Sequence, residues 1–432
     1  MLKRVIERCM SSRFVVNTSW IMIDRIYQMV VSLIVGLLTA RYLGPANFGI
    51  INYVAAFISF AIPICSLGFE GVIVKKIVDK PEREGEIIGT AMVMEFGVSI
   101  ISSLIIVGIV AVSNAGDQVK IIVAVLESVR LLFKSSEPIE FWYQSKMNSK
   151  YASIIKMIAY TVMTVYRVML LVTDKTVEWF AFATSLDMIV IAVLYIFMYK
   201  KQGVYRLQFN LAIGKEMLHE SYHFILSGVM IVVYSQMDKV MIQYMLGETE
   251  VGLYSAASTI SNLWFLVPAA LITSARPLIM QAKGVGEGIY LKRIKQLYAA
   301  IFWMGIAVGV ATSLFSRPIM YILYGIDYMA ACSTLVIGVW YGVFAELGSA
   351  RGIWILCEGK NRYTKLILVW GLITNLILNW LLIPVMGIEG AAVATLATQI
   401  VTCIIAPLFY RETRIHTAIL LQSISLSWIR KK

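Results

Sequence analysis

Long apolar stretches recur along nearly the whole chain and are separated by short polar connections. Each stretch reaches the roughly 20 residues that a helix needs to cross the ~30 Å hydrocarbon core of a bilayer. Backbone groups in lipid must be hydrogen-bonded within the protein, so these stretches are expected to be helical. The pattern predicts an all-α polytopic membrane protein with about twelve transmembrane helices, at 14–40, 46–74, 87–112, 119–142, 151–172, 177–199, 218–245, 250–275, 296–315, 328–350, 365–384 and 389–410.

Positive charge in the connections lies on one side of the predicted membrane. The even-numbered connections and both chain ends are rich in Lys and Arg, whereas the odd-numbered connections contain Arg41, Lys175 and Arg317. By the positive-inside rule, both termini are cytoplasmic. The net charge of +12 therefore belongs to loops beside the membrane, and nucleic acid is not an expected partner.

The polar connections are too short to hold a soluble catalytic domain. The sequence has no P-loop and no G-x-S-x-G motif, and its five cysteines have no C-x-x-C spacing. Its three histidines form no metal-ligand pattern, although two of them, His219 and His223, lie four residues apart. We therefore expect no metal site, no cofactor and no enzymatic activity.

A short internal repeat joins corresponding spans of the two halves. Leu43–Ile50 follows the first span and Leu246–Leu253 follows the seventh, and both have the pattern L-G-x-x-x-x-G followed by an aliphatic residue. Two six-helix halves in parallel orientation place a substrate path near the midplane where they meet. The predicted domains are an N-terminal six-helix bundle at 1–205, a C-terminal bundle at 206–412 and a cytoplasmic interfacial tail at 413–432.

Charged side chains also lie inside the predicted spans, where each costs about 2.5–3.5 kcal/mol at a helix centre on insertion scales. Charged residues in the fourth span, and charged and polar residues in the fifth, recur every three or four residues, which places them on one helix face. We expect a hydrated cationic cavity whose candidate substrate contacts are Arg25, Arg130, Lys134, Arg167 and Lys239. The acids that are candidates for carrying a coupling ion are Asp24, Glu127, Asp238 and Glu346. The alternative is that these charges form internal ion pairs, with Asp24 bound to Arg25, and that long side chains reach the membrane surface.

Several segments together resemble a known family. They are Asp24-Arg25, Ala40–Pro45 followed by Phe48-Gly49, Trp142–Gln144, and Met237–Ile242 continuing to Gly252–Tyr254. The chain resembles the bacterial polysaccharide-transporter family, the O-antigen and capsule repeat-unit flippases of the multidrug/oligosaccharidyl-lipid/polysaccharide exporter superfamily. The resemblance implies a V-shaped pair of pseudo-symmetric six-helix bundles in the bacterial inner membrane. It also implies transfer of undecaprenyl-pyrophosphate-linked oligosaccharide from the cytoplasmic to the outer leaflet.

The expected cavity and the resemblance also bear on the driving force, the partner and the alternative functions. A cationic cavity suits a pyrophosphate, and H⁺ or Na⁺ coupling is optional because the membrane potential already favours export of an anion. A polymerase or another glycan-assembly protein is a possible partner in the membrane. The alternative functions are a drug/cation antiporter of the same superfamily, which favours a more acidic cavity, and a membrane polymerase or ligase, which needs a long outer loop.

Overall fold

The computed structural model describes residues 13–114, 116–203 and 205–425. The basic residues at 1–12 and the end of the predicted tail, from 426, lie outside the described residues. The described part is helical and contains no β-strand. In chain order its helices are α1 Arg13–Cys65, α2 Glu70–Asp79, α3 Glu84–Ser113, α4 Gln118–Lys134, α5 Pro138–Ser145, α6 Ser149–Val172, α7 Val177–Gln202, α8 Leu211–Met245, α9 Glu248–Leu263, α10 Leu266–Val285, α11 Glu287–Leu314, α12 Ser316–Leu323, α13 Cys332–Cys357, α14 Arg362–Met386, α15 Ile388–Ile400, α16 Ala406–Leu408 and α17 Arg414–Ile424.

By length and composition, 10 helical segments of the described residues are able to cross a membrane. One of them, Val16–Asp79, contains both the first and the second predicted span. The two spans are continuous in α1 except at Gly44, whose φ of 70° and ψ of 172° interrupt the helical backbone. Gly247, the corresponding glycine of the repeat, has a φ of 113°. Only glycine adopts such angles readily, which explains why both copies of the repeat begin L-G.

The fourth predicted span is divided in the structure, so it falls below the length of a membrane-crossing helix. Helix α4 ends at Lys134, and the short helix α5 begins at Pro138. Proline has no backbone N–H, so Pro138 cannot continue the hydrogen-bond ladder of α4, and it stands instead at the first position of α5. The hydroxyls of Ser135 and Ser136 donate to carbonyls of the preceding turn and complete its end. These two cases account for the difference between 10 segments and the twelve predicted spans.

The helices divide into two compact units. The first comprises the chain up to Leu43 together with Tyr53–Val232, and the second comprises Gly44–Asn52 and the chain from Val233 onward. Each unit has its own apolar core, built around Tyr195 in the first and Leu347 in the second. The division falls inside α1 and α8, and the domain boundaries at 205/206 and 412/413 stay predictions.

The same pairs of spans pack together in both units. In the first unit, α4 packs against α3 and α7, and α6 packs against α7. In the second, α13 packs against α11 and α15, and α14 packs against α15. Counted along each half, these are the third span with the fourth, the fourth with the sixth, and the fifth with the sixth. The prediction of an all-α membrane protein built from two pseudo-symmetric helical bundles is confirmed.

The second glycine of each repeat allows two helical segments of the second unit to approach closely. A Cβ atom on Gly49 would lie 1.8 Å from the carbonyl oxygen of Glu248. A Cβ atom on Gly252 would lie 1.9 Å from the carbonyl oxygen of Pro45. Each copy of the repeat therefore contacts the other reciprocally, and both positions require glycine because the opposing atom belongs to the backbone.

The last described helix, α17, packs against α11 in the second unit. Its His416 is fully buried, lies 2.9 Å from the Tyr298 hydroxyl through Nε2, and packs beside the Trp354 ring. Burial, with a smaller contribution from the charge of Arg351, lowers the pKa of His416 well below its ordinary value. That the tail lies on a membrane surface stays a prediction.

Candidate functional site

In the first unit, Asp24 belongs to an ion-pair cluster that links α1 with α5, α6 and α7. Lys156 Nζ lies 2.6 Å from Glu140 Oε1 and 4.0 Å from Asp24 Oδ2. The Tyr195 hydroxyl donates to the other Glu140 oxygen at 3.2 Å. Arg25 is exposed and makes no salt bridge within the described residues. The expected pair between Asp24 and Arg25 is not formed, because adjacent residues on a helix point in different directions.

Arg130 on α4 and Arg167 on α6 both lie within electrostatic range of a carboxylate on α7, although neither forms a salt bridge with it among the described residues. The Asp187 carboxylate interacts electrostatically with both guanidinium groups. Arg167 also interacts with Glu127, which is fully buried on α4. The Arg167 Nε atom is buried and has no hydrogen-bond partner among the described residues. The structure therefore brings together three of the predicted site residues, around an arginine that retains an unused donor.

Lys134 lies at the break between α4 and α5, where it is paired with Glu137. Buried Glu95 interacts electrostatically with both of them. The internal ion pairs that the sequence left as an alternative are present at Lys134 and Lys156.

In the second unit, Asp238 of α8 is 4% exposed and is the centre of a hydrogen-bond network. Its Oδ2 accepts from the Tyr254 hydroxyl at 2.7 Å and from the Thr395 hydroxyl at 2.8 Å. Its Oδ1 accepts from the side-chain amide of Asn379 at 2.6 Å. Asn379 also donates to Asn375 Oδ1 at 3.0 Å, as expected for two residues one turn apart on α14. The Asn379 Oδ1 atom has no hydrogen-bond partner among the described residues.

This network offers one carboxylate and several neutral oxygen atoms. Oxygen ligands suit hard cations, and a single carboxylate balances one proton or one monovalent cation. Within the described residues, no group of three His, Cys, Asp or Glu side chains is placed to bind a metal ion. The network is therefore suited to H⁺ or Na⁺ and is poorly suited to a divalent metal.

The remaining two candidates lie at different places in the second unit. Lys239 lines a cavity beside Asp238, and its Nζ atom lies 3.5 Å from Asn52 Oδ1. Glu346 is buried on α13 and makes no hydrogen bond or ion pair within the described part of the chain. It is not among the residues that line the cavity, although Ala345 is.

Arg351 is a buried cation, although the predicted spans 328–350 and 365–384 place it in the connection between them. In the structure it lies within α13 and is 8% exposed. Its Nη1 donates at 2.5 Å to the carbonyl of Thr402, which lies in the one-turn π-helix Val401–Ile405. The apolar run after Arg351 indicated that the helix continues, whereas nothing in the sequence marked the π-helix. Tyr254 and Thr395 were also missed, since single hydroxyls in a span give no distinctive pattern.

The fold is similar to that of solved membrane transporters. A multidrug transporter of the MATE family in its inward-facing conformation is similar over 92% of this chain and 96% of its own, with 15% identity and a TM-score of 0.67. The lipid II flippase MurJ is similar over 96% of this chain and 92% of its own, with 14% identity and a TM-score of 0.67. At these identities, both likenesses show a shared fold alone.

The sequence itself identifies the family. Residues 14–283 match the family described as Polysaccharide biosynthesis protein, and the chain belongs to it. A probable flippase of Haloferax volcanii, AglR, is 28% identical over 182 residues. That alignment covers 40% of this chain and 37% of the relative. The resemblance to polysaccharide transporters is confirmed, and the protein is a multi-pass membrane protein.

Proposed function

We propose that this protein is a flippase for undecaprenyl-pyrophosphate-linked oligosaccharide, an O-antigen or capsule repeat unit. It transfers the lipid from the cytoplasmic to the outer leaflet of the bacterial inner membrane by alternating access, with both termini cytoplasmic. The family, the partial relative named as a probable flippase and the fold shared with a lipid II flippase support this proposal. A polymerase that extends the repeat units is the partner that this function calls for.

The observation that carries the proposal is the pair of arginines inside the membrane-spanning part of the first unit. Arginine presents a planar fork of donors that matches phosphate oxygens, and it stays charged in a desolvated site. Unsatisfied buried donors are rare in folded proteins, so the unused Arg167 Nε atom calls for a ligand. We assign Arg130 and Arg167 to the pyrophosphate, together with exposed Arg25. Lys134 and Lys239 are weaker candidates, because Lys134 is ion-paired and Lys239 contacts an amide oxygen.

The membrane potential is sufficient as a driving force in this proposal. Moving one charge across 100 mV is worth about 2.3 kcal/mol, so exporting about two negative charges from a negative interior gains roughly 4–5 kcal/mol. Binding of a coupling ion would add to this driving force. Asp238 is the strongest candidate to bind the ion, because its hydrogen-bond network supplies neutral oxygen atoms. Asp24 and Glu127 belong to ion-pair clusters, and Glu346 has no polar partner among the described residues, so all three are weaker candidates.

A drug/cation antiporter is the second candidate, because the fold matches a multidrug transporter and a lipid flippase with the same TM-score of 0.67. A site for a cationic drug needs a carboxylate that is not already neutralised. Asp187 interacts electrostatically with two arginines, so it does not present an uncompensated negative charge. Asp238 keeps its charge, because its three donors are neutral, but it is only 4% exposed. The charge arrangement therefore favours an anionic substrate.

The test separates an arginine that binds substrate from one that serves as an ion-pair partner. Arg167→Gln alone removes one of the two positive charges that act on Asp187, whereas Arg167→Gln combined with Asp187→Asn leaves the net charge of the site unchanged. Both variants should abolish surface glycan in the native cell while the protein level in the membrane stays normal. Arg362→Gln is the matched control, since this exposed arginine pairs with Glu412 at 2.7 Å, and it should export normally. Recovery of export in the double variant would assign Arg167 to stability and contradict the proposal.

A further inference from the structure

The second unit contains a cavity of about 400 Å³ among α8, α9, α13 and α15, next to Asp238. This volume falls within the roughly 300–1,000 Å³ of typical ligand sites. Most of its lining side chains carry a hydroxyl or an amide, including Gln236, Asn262 and Gln399. Polar side chains inside membrane-spanning helices are costly and normally serve a function. The lining therefore indicates a ligand site, because packing alone favours apolar residues here.

Several of these polar groups are held in fixed positions. The Tyr341 hydroxyl donates to Asn262 Oδ1, and the hydroxyls of Ser258 and Thr259 donate to carbonyls of their own helix at 2.7 and 2.8 Å. The hydroxyl oxygens of Ser258 and Thr259 retain lone pairs that can accept from a ligand. Ser255 is 1% exposed, and its hydroxyl has no partner among the described residues. A buried polar group without a partner is costly, and a ligand hydroxyl in the cavity would satisfy it.

The charges and rings of the cavity limit the class of ligand. Asp238 and Lys239 are the charged lining residues among those described, and their formal charges cancel. An anion such as pyrophosphate would meet a single cation beside a carboxylate, and a cationic drug would meet a single carboxylate, 4% exposed, beside Lys239. Phe265 and Tyr341 form an edge-to-face pair with ring centroids 5.9 Å apart, which provides an apolar wall. Neutral polyhydroxyl rings combine one apolar face with many donors and acceptors, as this lining requires.

We propose that this cavity binds a sugar ring of the transported glycan. The inference rests on the proposed flippase function for the source of the sugar. It adds a site in the second unit at which the protein recognises the carbohydrate itself, separately from the pyrophosphate. Asn262 and Tyr341 orient the ring through hydrogen bonds, and Phe265 packs against its apolar face.

The experiment measures binding of the free glycan without transport. The probe is the oligosaccharide released by mild acid from the lipid-linked intermediates of the cell that makes this protein. Binding to the purified full chain in lipid nanodiscs is followed by saturation-transfer difference NMR. The wild type should bind, and Tyr341→Phe, which removes one hydroxyl and keeps the ring, should weaken binding about 3- to 10-fold, as expected for one hydrogen bond. Tyr321→Phe removes an exposed hydroxyl of the same unit outside the cavity and should bind as the wild type does.

The other outcomes of these binding experiments would contradict the sugar site. Absence of binding by the wild type, or equal binding by Tyr341→Phe, overturns the sugar site. Displacement of the glycan by inorganic pyrophosphate or by tetraphenylphosphonium also overturns it, since the cavity would then recognise an anion or a cation. Flipping of the lipid-linked glycan is measured separately in proteoliposomes. Normal flipping without cavity binding leaves the flippase proposal intact, whereas cavity binding without flipping contradicts the flippase and leaves the sugar site standing.

Discussion

Gly252→Ala tests the reciprocal contact between the two copies of the repeat. The new Cβ atom would lie 1.9 Å from the Pro45 carbonyl oxygen, far inside the 3.4 Å at which ordinary contact begins. The opposing atom belongs to the backbone, so a helical segment has to shift by more than 1 Å. Overpacking of this kind costs about 1–3 kcal/mol. For a unit of about 200 residues, each kcal/mol lowers the unfolding temperature by about 2–4 °C, so a fall of about 2–12 °C is expected.

The assay follows the thermal exposure of buried thiols with a thiol-reactive dye on the detergent-purified protein, and Cys403 in the second unit is fully buried. Gly348→Ala is the matched control, because a Cβ atom there would meet nothing within 4 Å. Gly49→Ala should be as harmful as Gly252→Ala, and the double variant should cost less than their sum since both displace the same crossing. An unfolding temperature of Gly252→Ala equal to that of the wild type would refute the reasoning.

Three further outcomes are expected. In a cysteine-free background, Gln202→Cys should react with a membrane-impermeant thiol reagent added on the cytoplasmic side, and Thr249→Cys should react with the reagent added outside. Labelling of Gln202→Cys from outside would contradict the predicted orientation. Asp238→Asn should remove any dependence of transport on a proton or sodium gradient while potential-driven flipping continues, and loss of both would contradict the separation of the two driving forces. Because burial lowers the pKa of His416, the unfolded state binds more protons, and stability should fall as pH drops below about 6.5. His416→Gln should flatten the dependence of unfolding temperature on pH between 7 and 5, and an unchanged pH dependence would show that His416 does not cause it.

The sequence predicts most of the fold because membrane-spanning helices impose a strong hydrophobic pattern. The repeat around Gly44 and Gly247 is also visible in the amino-acid sequence. The reason for its second glycine becomes clear only from the structure, in which the two segments cross. The break at Pro138 was missed because the surrounding residues remain apolar enough to continue a span. Helix ends and one-turn irregularities such as the π-helix near Thr402 leave no regular periodicity to recognise.

The candidate site is less predictable than the fold, for a physical reason. Periodicity places Arg130 on a helix face, yet it says nothing about which carboxylate from another helix meets that face. Asp24 illustrates this: its sequence neighbour is Arg25, whereas its partner in the structure is Lys156, which is far along the chain. Asn375 and Asn379 lie one turn apart, so their contact was predictable. Their connection to Asp238 depends on tertiary packing, which no local pattern encodes.

Reconstituted flipping tests the central claim most directly. The purified protein is placed in proteoliposomes with undecaprenyl-pyrophosphate-linked oligosaccharide in one leaflet, and a lectin on the opposite side reports the glycan that arrives there. A potential that is negative on the substrate side should accelerate protein-dependent transfer in the absence of any proton or sodium gradient. The double variant with Arg167→Gln and Asp187→Asn should transfer no faster than protein-free liposomes. Transfer by the wild type that equals the protein-free rate, with and without the potential, would contradict the account.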